Sequence, residues 1–314
     1  MNIAAQLAQF ETRLRKELAS DVQFISAIAG NLVGAGGKRL RPQLSFLTAE
    51  LLGVAPSYAE TVAVAVEMLH SASLLHDDLI DDAETRRGSE AAFRRYGAVV
   101  SVMSGDFMLA QVLRVLATSG SSALTGLLAR TATAVCEGEV LQFQVATLED
   151  YSFSQYYRII DGKTAELIAA ATEGVGILAG AATTDVAALR EFGLHYGRAF
   201  QLQDDYLDLL GNEQQLGKPV GGDVREGKAT HYALTLMLQH KVEEVRSILR
   251  REGNAPGDVG RMQQLVREYG ADAAHQAAIA TEIAQANTAL HHFPDSPART
   301  ALSEFVTQEL ERRF

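Results

Sequence analysis

Several things are scarce in this chain, and each scarcity excludes something. There is one cysteine, Cys136, there is no tryptophan, and there are only 6 prolines in 314 residues. A lone thiol rules out an intramolecular disulfide and a cysteine-based zinc site and suits a reducing compartment, so a cytoplasmic protein is expected. Lys and Arg number 28 against 39 Asp and Glu, a formal net charge of -11. Such a chain is a poor general nucleic-acid binder, because neutralising phosphates takes clustered cations. No run reaches the roughly 18 consecutive apolar residues of a membrane span. The first twenty residues mix Gln, Glu, Arg and Lys with apolar side chains and lack the basic-then-apolar layout of a leader. Any membrane contact is expected to be peripheral at most.

What is present is apolar and helix-prone. Hydrophobic residues make up 47% of the chain, enough for a sizeable core. Ala/Leu-rich periodic stretches predict helices over 3–19, 58–82, 98–117, 121–146, 153–181, 184–211, 230–252, 258–268, 271–290 and 296–312. Several are apolar on nearly every side, the mark of helices buried in a bundle. Gly34-Ala35-Gly36-Gly37 breaks the chain, and Pro42 suits the first turn of the next helix. Gly211 to Gly227 is rich in glycine and charge and is expected to be a loop that orders on ligand. No useful strand pattern and no linker appear. The expected architecture is all-α, a single-domain helical bundle over residues 1–314.

Two segments share one grammar. His76-Asp77-Asp78-Leu79-Ile80-Asp81-Asp82 and Gln203-Asp204-Asp205-Tyr206-Leu207-Asp208 each read Asp-Asp-x-x-Asp within apolar surroundings. On a helix, positions i and i+4 share a face, so Asp77 pairs with Asp81 and Asp204 with Asp208. Like charges so placed repel unless a cation lies between them, and unpaired buried carboxylates are costly. Magnesium prefers such oxygen ligands, usually one or two carboxylates per ion with phosphate and water filling the rest. A magnesium–diphosphate site is the reading, with Asp77, Asp81, Asp204, Asp205 and Asp208 as its metal ligands.

Cations cluster elsewhere. Lys38-Arg39-Leu40-Arg41 follows flexible glycines at a helix start, where an anion can be cradled. Arg86-Arg87-Gly88 lies just past the first acidic segment, where two guanidinium groups can clamp diphosphates. Lys163-Thr164 sits inside a helical pattern, and Lys218 and Lys228 sit in the glycine-rich loop and suit a lid over phosphate. His70 lies two turns before Asp77 on roughly the same face.

In order along the chain, these residues resemble the trans-isoprenyl diphosphate synthases of the polyprenyl synthetase family. The run Gly36 to Pro42, the segment Glu67 to Asp82 with Arg86-Arg87-Gly88, Gly105-Asp106-Phe107, Glu137-Gly138-Glu139 with Gln142, and Lys163-Thr164 all match. So do Phe200-Gln201 with Asp204, Asp205 and Asp208, and the loop Gly217-Lys218-Pro219 to Gly227-Lys228. The resemblance covers about residues 34 to 232 and departs from the pattern at Ser89-Glu90 and His231-Tyr232.

It implies a helical bundle with a central active-site cavity, a homodimer, and about three magnesium ions per site. Asp77 and Asp81, with Asp78 supporting, would hold the metal on an allylic diphosphate such as farnesyl or geranyl diphosphate. Asp204 would bind a further ion, with Asp205 and Asp208 acting partly through water. Arg86, Lys163 and Lys218 would hold the allylic diphosphate, with Lys228 beside the lid. Lys38, Arg41, His70 and Arg87 would hold isopentenyl diphosphate. Thr164 and Gln201 would face the developing carbocation. The implied reaction ionises the allylic carbon–oxygen bond, adds isopentenyl diphosphate and passes a proton to the departing diphosphate.

Chain length becomes a packing question. Ala72 and Ser73 are small where the family places an aromatic to stop growth, and Met68 and Leu69 lie further back on the helix. One helical turn is about 5.4 Å, roughly one isoprene unit, so a long product of about C35–C50 is expected. A short-chain synthase, a class I terpene cyclase and a non-catalytic subunit are the competing readings. The intact second acidic segment and the basic run at 38–41 count against the cyclase, and the retention of all six aspartates counts against the non-catalytic subunit.

Overall fold

The computed structural model describes residues 3–34, 37–86, 89–212 and 219–310. Ala35, Gly36, Arg87, Gly88, Gly217 and Lys218, all used above, lie outside the described residues, as do the last four. Apart from one short hairpin, the described elements are helices, as expected. The contacts sort the chain into two compact units, whose boundaries fall inside helices except the one at His292–Phe293.

The first unit comprises Met1–Ala132, Ala170–Arg190 and Phe293–Leu302. It holds α1 (Ile3–Glu17), α2 (Gln23–Gly34), α3 (Leu40–Leu51), α4 (Pro56–Ile80), α5 (Ala92–Tyr96), α6 (Ala98–Ser119) and the start of α7 (Ser122–Leu148). The core axis is α4, which packs on α3 and α6. Pro56 starts it, where a missing N–H costs nothing. Every residue from Val62 to Leu69 is buried. Close helix packing needs small residues at particular points. A side chain at Gly105 on α6 would bring its Cβ within 2.3 Å of the His76 ring on α4. The hairpin pairs β1 (Thr85–Arg86) with β2 (Ser89–Glu90), Arg86 opposite Ser89. Helix α2 and this hairpin are absent from the sequence expectation: each is too short for its periodicity to stand out.

The second unit comprises Thr133–Ala169, Glu191–His292 and Ser303–Phe314. Besides the rest of α7, it holds α8 (Phe153–Ile160), the start of α9 (Glu166–Leu178) and most of α10 (Thr183–Leu210). It continues with α11 (Gly222–Arg225), α12 (His231–Leu234), α13 (Glu243–Arg250), α14 (Asp258–Glu268), α15 (Ala271–Leu290) and the end of α16 (Pro297–Leu310). The expected helix over 153–181 is interrupted by a π turn at Asp161–Ala165, and the one over 230–252 by a second at Thr235–Gln239. Wide turns of this kind are rare and favour functional positions.

By length and composition α6 is apolar enough to cross a membrane, and 44% of its most apolar stretch is buried. Asp106 and Arg114 keep it from being a continuous apolar run.

Candidate active site

In the first unit the acidic segment closes α4. Asp77 and Asp78 occupy its last turn and Asp81 is its C-cap. Carboxylates at this end meet the negative pole of the helix dipole, an arrangement that calls for cations. The three differ in direction. Asp77 is half-buried and Asp81 exposed, whereas Asp78 is 1% exposed. The Arg86 guanidinium donates to Asp78 Oδ1 from Nε at 2.7 Å and from a terminal nitrogen as well. Arg86, expected on a diphosphate, thus also neutralises the inward carboxylate. These two residues, with Asn31, Ser89 and Glu90, form the polar wall of a small cleft whose apolar wall includes Ile28, Leu32 and Tyr96.

The basic run divides its labour. Arg39 adopts a left-handed backbone (φ 46°) at the start of α3 and is buried. Its guanidinium donates to Glu67 on α4 at 2.7 Å and to Glu11 on α1. This three-way pair ties α1, α3 and α4 together and leaves exposed Lys38 and half-buried Arg41 on either side of it. His70 is half-buried on α4, where its carbonyl accepts from Ser73 at 2.9 Å. Met68 and Ala72 are fully buried, Leu69 is 4% exposed, and Ser73 is half-buried.

In the second unit the π turn presents Lys163 and Thr164, and glycines make the room. A Cβ on Gly162 would approach the Ala134 carbonyl to 2.5 Å and the Gly138 Cα to 3.0 Å; one on Gly197 would approach the Ala165 Cα to 2.4 Å. Backbone therefore lies on backbone along both sides of the turn. Arg198 clamps its first residue, Asp161, through two hydrogen bonds of 2.6 and 2.7 Å. Lys163 Nζ is held by Glu139 at 2.6 Å and by Gln142 at 3.2 Å. The Thr164 hydroxyl donates to Gln201 Oε1 at 2.7 Å, and Gln201 Nε2 donates to Asp205 at 2.8 Å.

The second acidic segment also turns its members in different directions. Asp204 is exposed; Asp205 and Asp208 are buried. Asp205 accepts from the Tyr156 hydroxyl at 2.8 Å as well as from Gln201. Asp208 accepts the backbone N–H of Asp223 on its side chain at 2.9 Å, and that of Gly221 on its carbonyl at 2.6 Å. The far end of the glycine-rich loop is thereby fastened to α10. Lys228 pairs with Glu226 and lies 3.9 Å from Asp223. Burial pushes the Asp205 carboxyl up to about 7, with Asp204 adding to the rise and Gln201, Tyr156 and Lys228 opposing it. Asp223 is driven well above the carboxylate range by burial and by Asp205 and Asp208.

Among the described residues no three carboxylates, histidines or thiols converge into a complete metal cage. Magnesium does not require one, since substrate phosphate and water usually complete its shell. In each unit the acidic segment leaves hard oxygen donors of the kind magnesium takes accessible, half-buried Asp77 and exposed Asp81 in the first and exposed Asp204 in the second, so each donor set fits. Sequence reasoning did not single out Tyr156, whose only signal is its place seven residues before Lys163, or the Asp208–Asp223 contact, which joins residues with no sequence pattern in common.

A model described as polyprenyl synthetase matches residues 22–269. The chain is 32% identical to a short chain isoprenyl diphosphate synthase of Methanothermobacter thermautotrophicus, over 99% of this chain and 98% of that one. It is 34% identical to the octaprenyl diphosphate synthase of Escherichia coli, over 95% and 93% of the two. Among solved structures, a polyprenyl synthase from Caulobacter crescentus complexed with calcium and isoprenyl diphosphate superposes with a TM-score of 0.92 at 38% identity, covering 99% of this chain and 96% of that one.

Proposed function

This chain belongs to the polyprenyl synthetase family, and from that premise we propose that it is an all-trans polyprenyl diphosphate synthase. It is a prenyltransferase that joins isopentenyl diphosphate head-to-tail to an allylic diphosphate. The observation that carries the reading is that each Asp-Asp-x-x-Asp segment leaves its first carboxylate, half-buried Asp77 or exposed Asp204, accessible and buries its second, Asp78 or Asp205. A merely solvated acidic helix face would not sort its charges in this way.

Asp77 and Asp81 on α4, and Asp204 with Asp208 on α10, would hold magnesium. Magnesium, when bound, offsets the charge that builds on a departing diphosphate. The remaining work belongs to side chains. Lys163, steadied by Glu139 and Gln142, offers its ammonium to the allylic diphosphate, with Arg86, Lys218 and Lys228 in the same role. Lys38, Arg41, His70 and Arg87 hold isopentenyl diphosphate. Thr164 and Gln201 turn oxygen atoms toward positive charge developing on the allylic carbon. The proton lost after carbon–carbon bond formation passes to the diphosphate leaving group.

Fully buried Ala72 leaves α4 without a bulky stop one turn before Asp77, which supports growth to about C35–C50 at one isoprene per helical turn. The name of the Escherichia coli relative agrees with this reading and that of the Methanothermobacter relative does not, so product sizing is the deciding test. Purified protein is incubated with magnesium, labelled isopentenyl diphosphate and farnesyl or geranyl diphosphate, and the dephosphorylated products are sized. A ladder to about C35–C50 is expected, and Ala72→Tyr should end it several units earlier. A wild-type stop at about C15–C20 sinks the long-chain reading, and no incorporation with any primer sinks the function.

The same proposal includes a single cooperative domain, a homodimer and a cytoplasmic location. Unit boundaries inside α7, α9, α10 and α16 support the first. Exposed Val99, Met103 and Leu113 on α6, and Val140 and Phe143 on α7, support the second. One thermal transition, a dimer by light scattering and recovery in the soluble fraction are the expected results.

A further inference from the structure

Asp205 is bonded differently from its neighbours in the same segment. Both of its carboxylate oxygens are taken by protein donors: Oδ1 accepts from Gln201 Nε2 and Oδ2 from the Tyr156 hydroxyl, each at 2.8 Å. It is 5% exposed, whereas adjacent Asp204 is exposed. Tyr156 is itself 5% exposed. Turning Asp205 outward to meet an ion would break both bonds and strand a buried phenol without an acceptor, a costly outcome.

The network also has a direction. Gln201 Nε2 faces Asp205 Oδ1 at 2.8 Å, and the ionised form of Asp205, which only accepts, holds the amide nitrogen on that side. The Gln201 oxygen then faces Thr164, whose hydroxyl donates to it at 2.7 Å. With Asp205 ionised, every donor and acceptor from Tyr156 through Asp205 and Gln201 to Thr164 is fixed. The outcome is a pair of oriented oxygens, Gln201 Oε1 and Thr164 Oγ1. Were the Gln201 amide reversed, an N–H would stand where the oxygen does, which opposes positive charge.

We propose that Asp205 is a positioning residue and not a magnesium ligand: with Tyr156 it locks the Gln201 amide, and through it the Thr164 hydroxyl, in the orientation that favours a nearby cation. The inference rests on the prenyltransferase reading above, because it assigns these oxygens their purpose.

The test separates metal binding from turnover. Calorimetry measures magnesium-dependent binding of inorganic pyrophosphate to the full-length protein and to Asp204→Asn, Asp205→Asn and Tyr156→Phe. Asp204→Asn should weaken binding more than about tenfold, while Asp205→Asn and Tyr156→Phe stay within about threefold of wild type. In turnover, the last two should lower kcat by about 10- to 100-fold with KM for both substrates unchanged, a split that general structural damage would not give. Removing the Tyr156 hydroxyl should cost nothing further once Gln201→Ala is in place.

Pyrophosphate binding lost equally in Asp205→Asn and Asp204→Asn would make Asp205 a ligand and overturn the inference, as would additive effects of Tyr156→Phe and Gln201→Ala. If Asp205→Asn fails to fold by circular dichroism, Tyr156→Phe, which removes one oxygen, decides alone. Wild type that binds magnesium pyrophosphate but extends no primer sinks the function reading while the binding comparison still decides the place of Asp205. Wild type with no magnesium-dependent binding overturns both.

Discussion

On α4 the inward carboxylate, Asp78, is met by a guanidinium; on α10 the inward carboxylate, Asp205, is met by a phenol and an amide. Both segments have one spacing and each buries its second aspartate, but the partners differ in charge. A cation compensates the buried charge on the spot. Neutral donors orient a carboxylate without neutralising it, and burial then lifts Asp205 to about 7. The first segment is thus locked by an ion pair between α4 and the hairpin. The second is an oriented network whose charge state is set by its surroundings. One sequence grammar serves two kinds of support, and the difference lies in what each helix packs against.

The largest effect that would break the comparison comes from the outward carboxylates, which it treats as equivalent. Asp77→Asn and Asp204→Asn should each lower kcat/KM by about 10²- to 10³-fold in a steady-state assay; a large loss for only one of them would end the parallel. Next is the ion pair. Arg86→Ala leaves Asp78 buried without its cation and should destabilise the protein by about 2 kcal/mol in urea unfolding, below the range for a fully buried pair because Arg86 is one-third exposed. Asp78→Asn should recover part of that loss in the double variant. Tyr156→Phe removes one hydrogen bond to a buried carboxylate and should cost about 1–2 kcal/mol in the same experiment.

The smallest effect sharpens the comparison through pH. Asp205 has its folded value near 7, above the ordinary 3.8, so the fold favours the protonated form. Its contribution to stability is full below about pH 4 and is lost as pH rises through about 7. Asp223 shifts in the same direction. Metal-free protein should therefore melt a few degrees lower at about pH 8.5 than at about pH 5.5, and Asp205→Asn should shrink that difference. A pH-independent melting temperature in the metal-free wild type would show that Asp205 carries no such strain.

Much of this was legible along the chain. The long helices α4, α6, α7 and α10 announce themselves by apolar periodicity, and Asp77 and Asp81 share the end of α4 as their spacing requires. The parallel expectation for Asp204 and Asp208 divides in three dimensions: Asp204 is exposed, while Asp208 is buried by the returning loop at Gly221–Asp223. Spacing fixes which residues share a helix face, but not what covers it. The π turn carrying Lys163 and Thr164 was not legible either. Its extra width depends on Gly138, Gly162 and Gly197 letting backbones touch, and those glycines are scattered along the chain.

Residue type and spacing alone settle the helical class, the two acidic segments, the cations beside them and the small residue at Ala72, because each is a local property of the chain. It takes the packed molecule to make Arg39 a strut between α1 and α4, to set Arg86 against Asp78, and to bring the Tyr156 hydroxyl to buried Asp205. Those outcomes depend on which distant donor the fold brings within reach of a buried charge, and burial belongs to the fold as a whole.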